Sequence, residues 1–135
     1  MDRAEALDAF LTVQEHAGRL NFVETGLIRQ YAAEGVRFDK IVLLRVRVAD
    51  PSKPTPPGVA ALEFTFGFAL VDGRGIVYLR VQDHLRRMSL AREALRKMAR
   101  SGYTEISKDA RGDDAEAVRR FRLLHSSVLR ELQTG

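Results

Sequence analysis

Between His84 and Arg100 the chain carries six basic residues, Arg86, Arg87, Arg92, Arg96, Lys97 and Arg100, against one acid, Glu93. Cations at this density neutralise phosphates and draw in anionic partners: nucleic acid, phosphate-bearing cofactors or acidic protein surfaces. Arg119, Arg120 and Arg122 form a second knot. A third group is Arg45, Arg47 and Arg80 beside Tyr78, with small Gly67 and Ala69 between them. If these fall on one open sheet face, arginine grips phosphates and stacks on bases while tyrosine offers a π-face. Each group has a plainer reading. A basic helix face keeps a protein soluble, Glu63 would pair with the sheet arginines, and a second copy of the chain would bury the face. Ile41, Leu43 and Val71, expected on that same face, suit such a homodimer.

Other chemistries find less support. Asp109, Asp113 and Asp114 are oxygen ligands of the kind a hard cation prefers, but their spacing matches no EF-hand and aspartates favour helix N-termini anyway. His16, His84 and His125 are far apart in sequence, and no G-x-S-x-G stands anywhere. Ser126 and Ser127 follow His125 on successive helical positions, which diverge around the axis. The absence of cysteine excludes a disulfide scaffold, thiol catalysis and Cys-ligated zinc. The residues by themselves therefore assign no catalytic group, no metal and no cofactor.

The elements that would position these groups can be read from the hydrophobic period. The 135 residues fit one domain, 1–135, and 45% hydrophobic with 30% charged is an ordinary globular balance. Residues 2–17 have helical spacing and stop at Gly18. Thr25 is placed to N-cap a second short helix through Glu34, with Leu27, Ile28, Tyr31 and Ala32 on one face. That helix is net uncharged, unlike a DNA-recognition helix. Residues 36–48 alternate with period two as a strand. Residues 51–58 hold all four prolines and read as a stiff loop. A second strand, 59–71, shows Leu62, Phe64, Phe66, Phe68 and Leu70 on one face. Asp72-Gly73-Arg74-Gly75 is a hairpin turn into a third strand, 76–82. The period then becomes helical: Leu85, Met88, Ala91, Leu95 and Met98 form a stripe ending near Gly102. Tyr103–Ile106 suits a short fourth strand. Asp113 or Asp114 would cap a last helix with Phe121, Leu124, Val128 and Leu132 buried.

This order implies an α+β fold, an antiparallel three- to four-stranded meander sheet with N- and C-terminal helices packed on one face. The Leu62–Leu70 stripe is expected to face those helices. The opposite face, with Arg45, Arg47, Glu63, Thr65, Tyr78 and Arg80, is expected in water. Charge is uneven: residues 1–67 carry net −1 and residues 68–135 net +5, giving +4 overall. No apolar run reaches the roughly 18–20 residues of a membrane span. The start, with Asp2, Arg3 and Glu5, has no signal-peptide core, so a cytoplasmic location is expected.

Residues 67–121 also resemble the second half of a GNAT-type N-acetyltransferase. Gly67-Phe68-Ala69-Leu70 precedes a strand, and Arg86-Arg87-Met88-Ser89-Leu90-Ala91 stands where that family has R/Q-x-x-G-x-G/A. Asp114 to Phe121 is similar to the family's N-x-x-A-x-x-x-Y. The resemblance implies acetyl-CoA as ligand, its pyrophosphate at a helix N-terminus and anchored by Arg86, Arg87 and Ser89. Ser89 replaces a glycine of that pattern, and Phe121 replaces the tyrosine often used as general acid. The first expectation from the residues remains a small non-enzymatic module. It would bind nucleic acid or another polyanionic partner through Arg45, Arg47, Tyr78, Arg80, Arg86, Arg87, Arg96, Lys97 and Arg100. The alternatives are the GNAT-like acyltransferase and a homodimeric adaptor that buries its sheet face.

Overall fold

The computed structural model describes residues 2–48, 62–81, 90–112 and 114–134, with backbone alone at 46–48, 62–64, 90 and 134. The proline loop expected at 51–58, and the stretch with Arg86, Arg87 and Ser89, lie outside the described residues. The elements in order are α1 (Arg3–His16), α2 (Phe22–Ala33), β1 (Lys40–Val48), β2 (Leu62–Asp72), β3 (Gly75–Val81), α3 (Leu90–Arg100), β4 (Glu105–Ile106) and α4 (Ala115–Thr134). The fold is α+β. The residues group into two compact units, one of 1–36 with 45–65 and the other of 37–44 with 66–135.

The first unit contains the α1–α2 hairpin. Asp2 caps α1 by accepting from the Glu5 amide at 2.8 Å. Helix α2 starts earlier than Thr25. Asn21 is its N-cap, and Asn21 and Glu24 exchange side-chain and backbone bonds at 2.8 and 2.9 Å. That reciprocal box satisfies two amides that a helix start leaves open, so it outcompetes a cap four residues later. Thr25 is instead fully buried, its hydroxyl donating to Glu15 and to the Phe22 carbonyl. Arg29 of α2 bridges back to Asp8 at 3.0 Å and Glu15 at 3.3 Å on α1. The hydrogen bond from Thr25, and then Arg29, hold the Glu15 carboxyl below its usual range. Phe10, Val13, Phe22 and Val23 remain exposed on these two helices.

The sheet order is β1-β2-β3-β4, with β3 and β4 wholly in the second unit. The β2–β3 hairpin closes at Asp72↔Gly75, with Gly73 at φ 60°. A two-residue turn of this kind needs positive φ, which glycine adopts without strain. Asp39 ties the start of β1 to the same turn: its amide donates to the Val71 carbonyl and its side chain accepts from the Gly73 amide. The fourth strand corrects the expected meander. β4 pairs with β3 in parallel, Gly75↔Glu105 and Ile76↔Ile106. The intervening chain runs through α3 and returns to the starting edge, so β4 must point the same way as β3.

Burial corrects the expected facing of the sheet. From Phe66 to Val71 every residue of β2 is buried, so neither of its faces is open here. Residues directly opposite in an antiparallel pair share a face. Gly67↔Val81 and Ala69↔Leu79 do so, as do Phe68↔Arg80 and Leu70↔Tyr78. Ala69, Val71, Ile76 and Val81 cluster with Ala94, Leu95 and Met98 of α3 and Val128 of α4, and Leu79 packs against them. Phe66 also joins this cluster. Phe68 and Leu70 thus share their face with Tyr78 and Arg80, which had been expected in water. A strand buried on both faces has no polar phase, so alternation of apolar residues does not identify the side that meets the helices. The open sheet face on which the homodimer was to form is therefore not found among the described residues.

Candidate functional site

Strands β3 and β4 touch only briefly. After the Ile76↔Ile106 pair, the Ser107 amide donates to the Ile76 carbonyl at 3.0 Å and the Arg111 amide to the Val77 carbonyl at 2.7 Å. Beyond Val77, β3 runs on to Val81 without β4 beside it. The loop after β4 turns instead into α4, where Asp114 caps the helix by accepting from the Ala117 amide at 2.7 Å. The sequence had offered Asp113 or Asp114 for that role. The separation leaves an open cleft of about 560 Å³. Leu79 and Val81 form its β3 wall, Ala91 stands at the first turn of α3, and Ala117, Phe121 and Leu124 line the α4 side. The cleft lies at the carboxyl end of two parallel strands joined by a helix, where α/β units place their ligands.

Four charged residues also line it: Arg111, Asp114, Glu116 and Arg120. Both carboxylates are engaged. Asp114 caps α4, and Glu116 accepts from Arg119 at 2.7 and 3.1 Å and from Arg120 at 3.3 Å. The Arg119 bond, and then Arg120, hold the Glu116 carboxyl below its usual range. Arg111 is exposed and makes no ion pair among the described residues. Among the described residues it is the cation of the cleft that pairs with no carboxylate.

The residues expected to bind polyanions do not assemble as a platform. Tyr78 is 4% exposed and its ring packs against Phe68 with centroids 5.8 Å apart. Its ring is therefore core material rather than a stacking surface for bases. Arg80 is half-buried opposite Phe68. Arg96 faces α4, bonding Glu131 at 2.7 and 3.1 Å and also pairing with Glu93. Glu131 holds the Arg96 guanidinium above its ordinary pKa, and Arg96 holds the Glu131 carboxyl below its own. Arg92 reinforces this junction through Ser127 and Glu131. Arg92 and Arg96, like charges one helical turn apart, are thus both met by the Glu131 carboxylate of the neighbouring helix. Lys97 and Arg100 are exposed on α3, and Arg45 is half-buried in the first unit. The Arg47 side chain, Arg86 and Arg87 lie outside the described residues.

Sequence reasoning singled out Asp109, Asp113 and Asp114 in the stretch after β4 but not Arg111. The available signal was the order strand, helix, strand over 75–106. A short strand regained through a helix runs parallel, and the loop after it then borders a ligand crevice. His125 is another surprise. It is 6% exposed, its Nε2 has no hydrogen-bond partner, and burial lowers its pKa. Among the described residues no group of three His, Asp or Glu is arranged to hold a metal ion, and no helix is long and apolar enough to cross a membrane. Comparison with protein-family models, curated proteins and solved structures gave no match to this chain.

Proposed function

We propose that the protein binds an acyl-coenzyme A thioester in the cleft between β3 and α4, as the N-acetyltransferases that residues 67–121 resemble do. The observation that carries this proposal is that β4 ends at the Ile76↔Ile106 pair while β3 runs on to Val81, so that β3, the first turn of α3 and α4 line a cleft of about 560 Å³. A pantetheine arm is a slender chain of amides and methylenes, and it suits a slot with a strand on one side and apolar side chains on the other. The phosphates would sit towards the N-terminus of α3, where the helix dipole favours anions; Arg86 and Arg87 are their anchors by the resemblance alone. Phe121 carries no proton to donate at the position where the resembling family has tyrosine. The proposed function is therefore binding of the thioester, with any acyl transfer lacking that general acid.

The test is calorimetric titration of the full chain with acetyl-CoA, with a thermal melt alongside. A ligand held at 100 times its Kd stabilises the folded state by about 2.7 kcal/mol, which a melt registers easily. The expected result is saturable binding and a raised Tm. Neither heat nor a shift at about 1 mM ligand, a concentration at which even weak ligands register, would overturn the proposal.

A polyanion surface is the second proposal, and it rests on Lys97 and Arg100, exposed at i,i+3 positions of α3. Fluorescence anisotropy with labelled DNA and RNA at two salt concentrations tests it. Phosphate contacts predict affinity that falls steeply with salt and falls again in a Lys97→Glu, Arg100→Glu variant.

A further inference from the structure

Arg111 occupies a defined place in the cleft. Its backbone is pinned to the Val77 carbonyl at 2.7 Å, just past the last parallel pair, which marks the vertex where the loop after β4 leaves β3, and the residue lines the cleft. Val81, four residues further along β3, and Ala91, in the first turn of α3, line it as well. From Val77 to Val81 the strand covers about 13 Å at its usual rise per residue. A ligand whose phosphates lie near the start of α3 therefore sends its opposite end towards Arg111. The wall beside that path is apolar, with Leu79, Phe121 and Leu124. The other cation of the cleft, Arg120, shares Glu116 with Arg119. Among the described residues Arg111 pairs with no carboxylate.

We infer that Arg111 selects acyl thioesters whose acyl chain ends in a carboxylate. This inference rests on the acyl-thioester proposal above. A guanidinium meets a carboxylate with two parallel N–H···O bonds, a geometry that a plain acetyl group cannot use. A short dicarboxylic acyl group lays its methylenes along the apolar wall and brings its terminal charge to the vertex. With acetyl bound, the Arg111 guanidinium stays in water and contributes no discrimination.

The experiment is calorimetric titration of the full chain with succinyl-CoA and acetyl-CoA in parallel, on wild type, Arg111→Gln, Arg111→Lys and Arg74→Gln. Arg74 is exposed in the hairpin turn and does not line the cleft, so its variant controls for the loss of one charge. Far-UV circular dichroism confirms that each variant is folded. The expected result is at least about tenfold tighter binding of succinyl-CoA by wild type and Arg74→Gln, the equivalent of about 1.4 kcal/mol. Arg111→Gln should bring the two affinities together, and Arg111→Lys, which keeps the charge but loses the fork, should fall between. Equal affinities in wild type would overturn the inference and leave the acyl-thioester proposal standing. So would an Arg111→Gln variant that keeps the full preference, or one that weakens both ligands alike. If neither ligand binds wild type, the acyl-thioester proposal falls and takes the inference with it.

Discussion

Replacing Gly67 with alanine should damage this protein far more than one methyl group suggests. A Cβ at Gly67 would lie 2.2 Å from the Arg80 carbonyl oxygen, 3.1 Å from the Val81 Cα and 3.2 Å from the Arg80 carbonyl carbon. All three atoms are backbone of β3, so no rotamer change relieves the contact. The strands must move apart by about 1 Å where Gly67 pairs with Val81, at the end of β3 that lines the cleft. Overpacking of this kind costs typically 1–3 kcal/mol, and a backbone collision belongs at the upper end, about 3 kcal/mol. For a chain of this size that lowers Tm by roughly 10–15 °C. The assay is equilibrium urea unfolding followed by circular dichroism, with wild type, Gly67→Ala and Gly26→Ala compared. Gly26 lies inside α2 with nothing within 4 Å of its would-be Cβ. There alanine should stabilise by about 0.5–1 kcal/mol, because glycine is a poor helix former. The reasoning is refuted if Gly67→Ala loses less than about 1 kcal/mol, since the strands would then not be held as close as the geometry requires.

Other outcomes follow from named contacts. Phe66 is 1% exposed within the main cluster, so Phe66→Ala should cost about 3–5 kcal/mol, and a loss under about 1 kcal/mol by urea unfolding would contradict that burial. Asn21→Ala removes one half of the α2 capping box and should cost about 1 kcal/mol, whereas Asn21→Ser should retain most of it; equal stability of all three proteins would show that the cap does not matter. Burial holds the His125 pKa below 6.5, so the unfolded chain takes up its proton first on acidification. Stability from this residue is therefore undiminished above pH 6.5 and declines as pH falls through and below that value. His125→Phe should remove this part of the pH dependence in thermal melts, and an unchanged slope would reject it.

Much of the local structure was legible because its causes are local. The strand expected at 36–48 is present but starts only at Lys40, while the Asp72–Gly75 turn and the α3 stripe Ala91, Leu95 and Met98 stand where sequence spacing put them. So does the α4 stripe of Phe121, Leu124, Val128 and Leu132. Even the α2 cap was readable, since Asn21-x-x-Glu24 is a capping box, although Thr25 was the more obvious choice. Residues 67–121, over which the resemblance runs, include most of the cleft lining, and the resemblance named Phe121 there but not Arg111.

What depended on tertiary structure was every property set by a neighbour distant in sequence. Strand facing depends on register, and a β2 buried on both faces gives no polar phase from which to read it. The fate of a charge depends on what the next helix presents. Arg96 looked like part of an anion-binding row until Glu131, thirty-five residues on, came within 2.7 Å. Arg111 drew no notice in the sequence. Only the parallel pairing of β4 with β3 brought the loop that carries it against Val77, beside the cleft. Composition and period thus determined which segments are helix or strand and which of their residues are apolar. The long-range pairing of those segments decided which charges cancel and where a cleft opens, because both depend on distances that the chain acquires only when it folds.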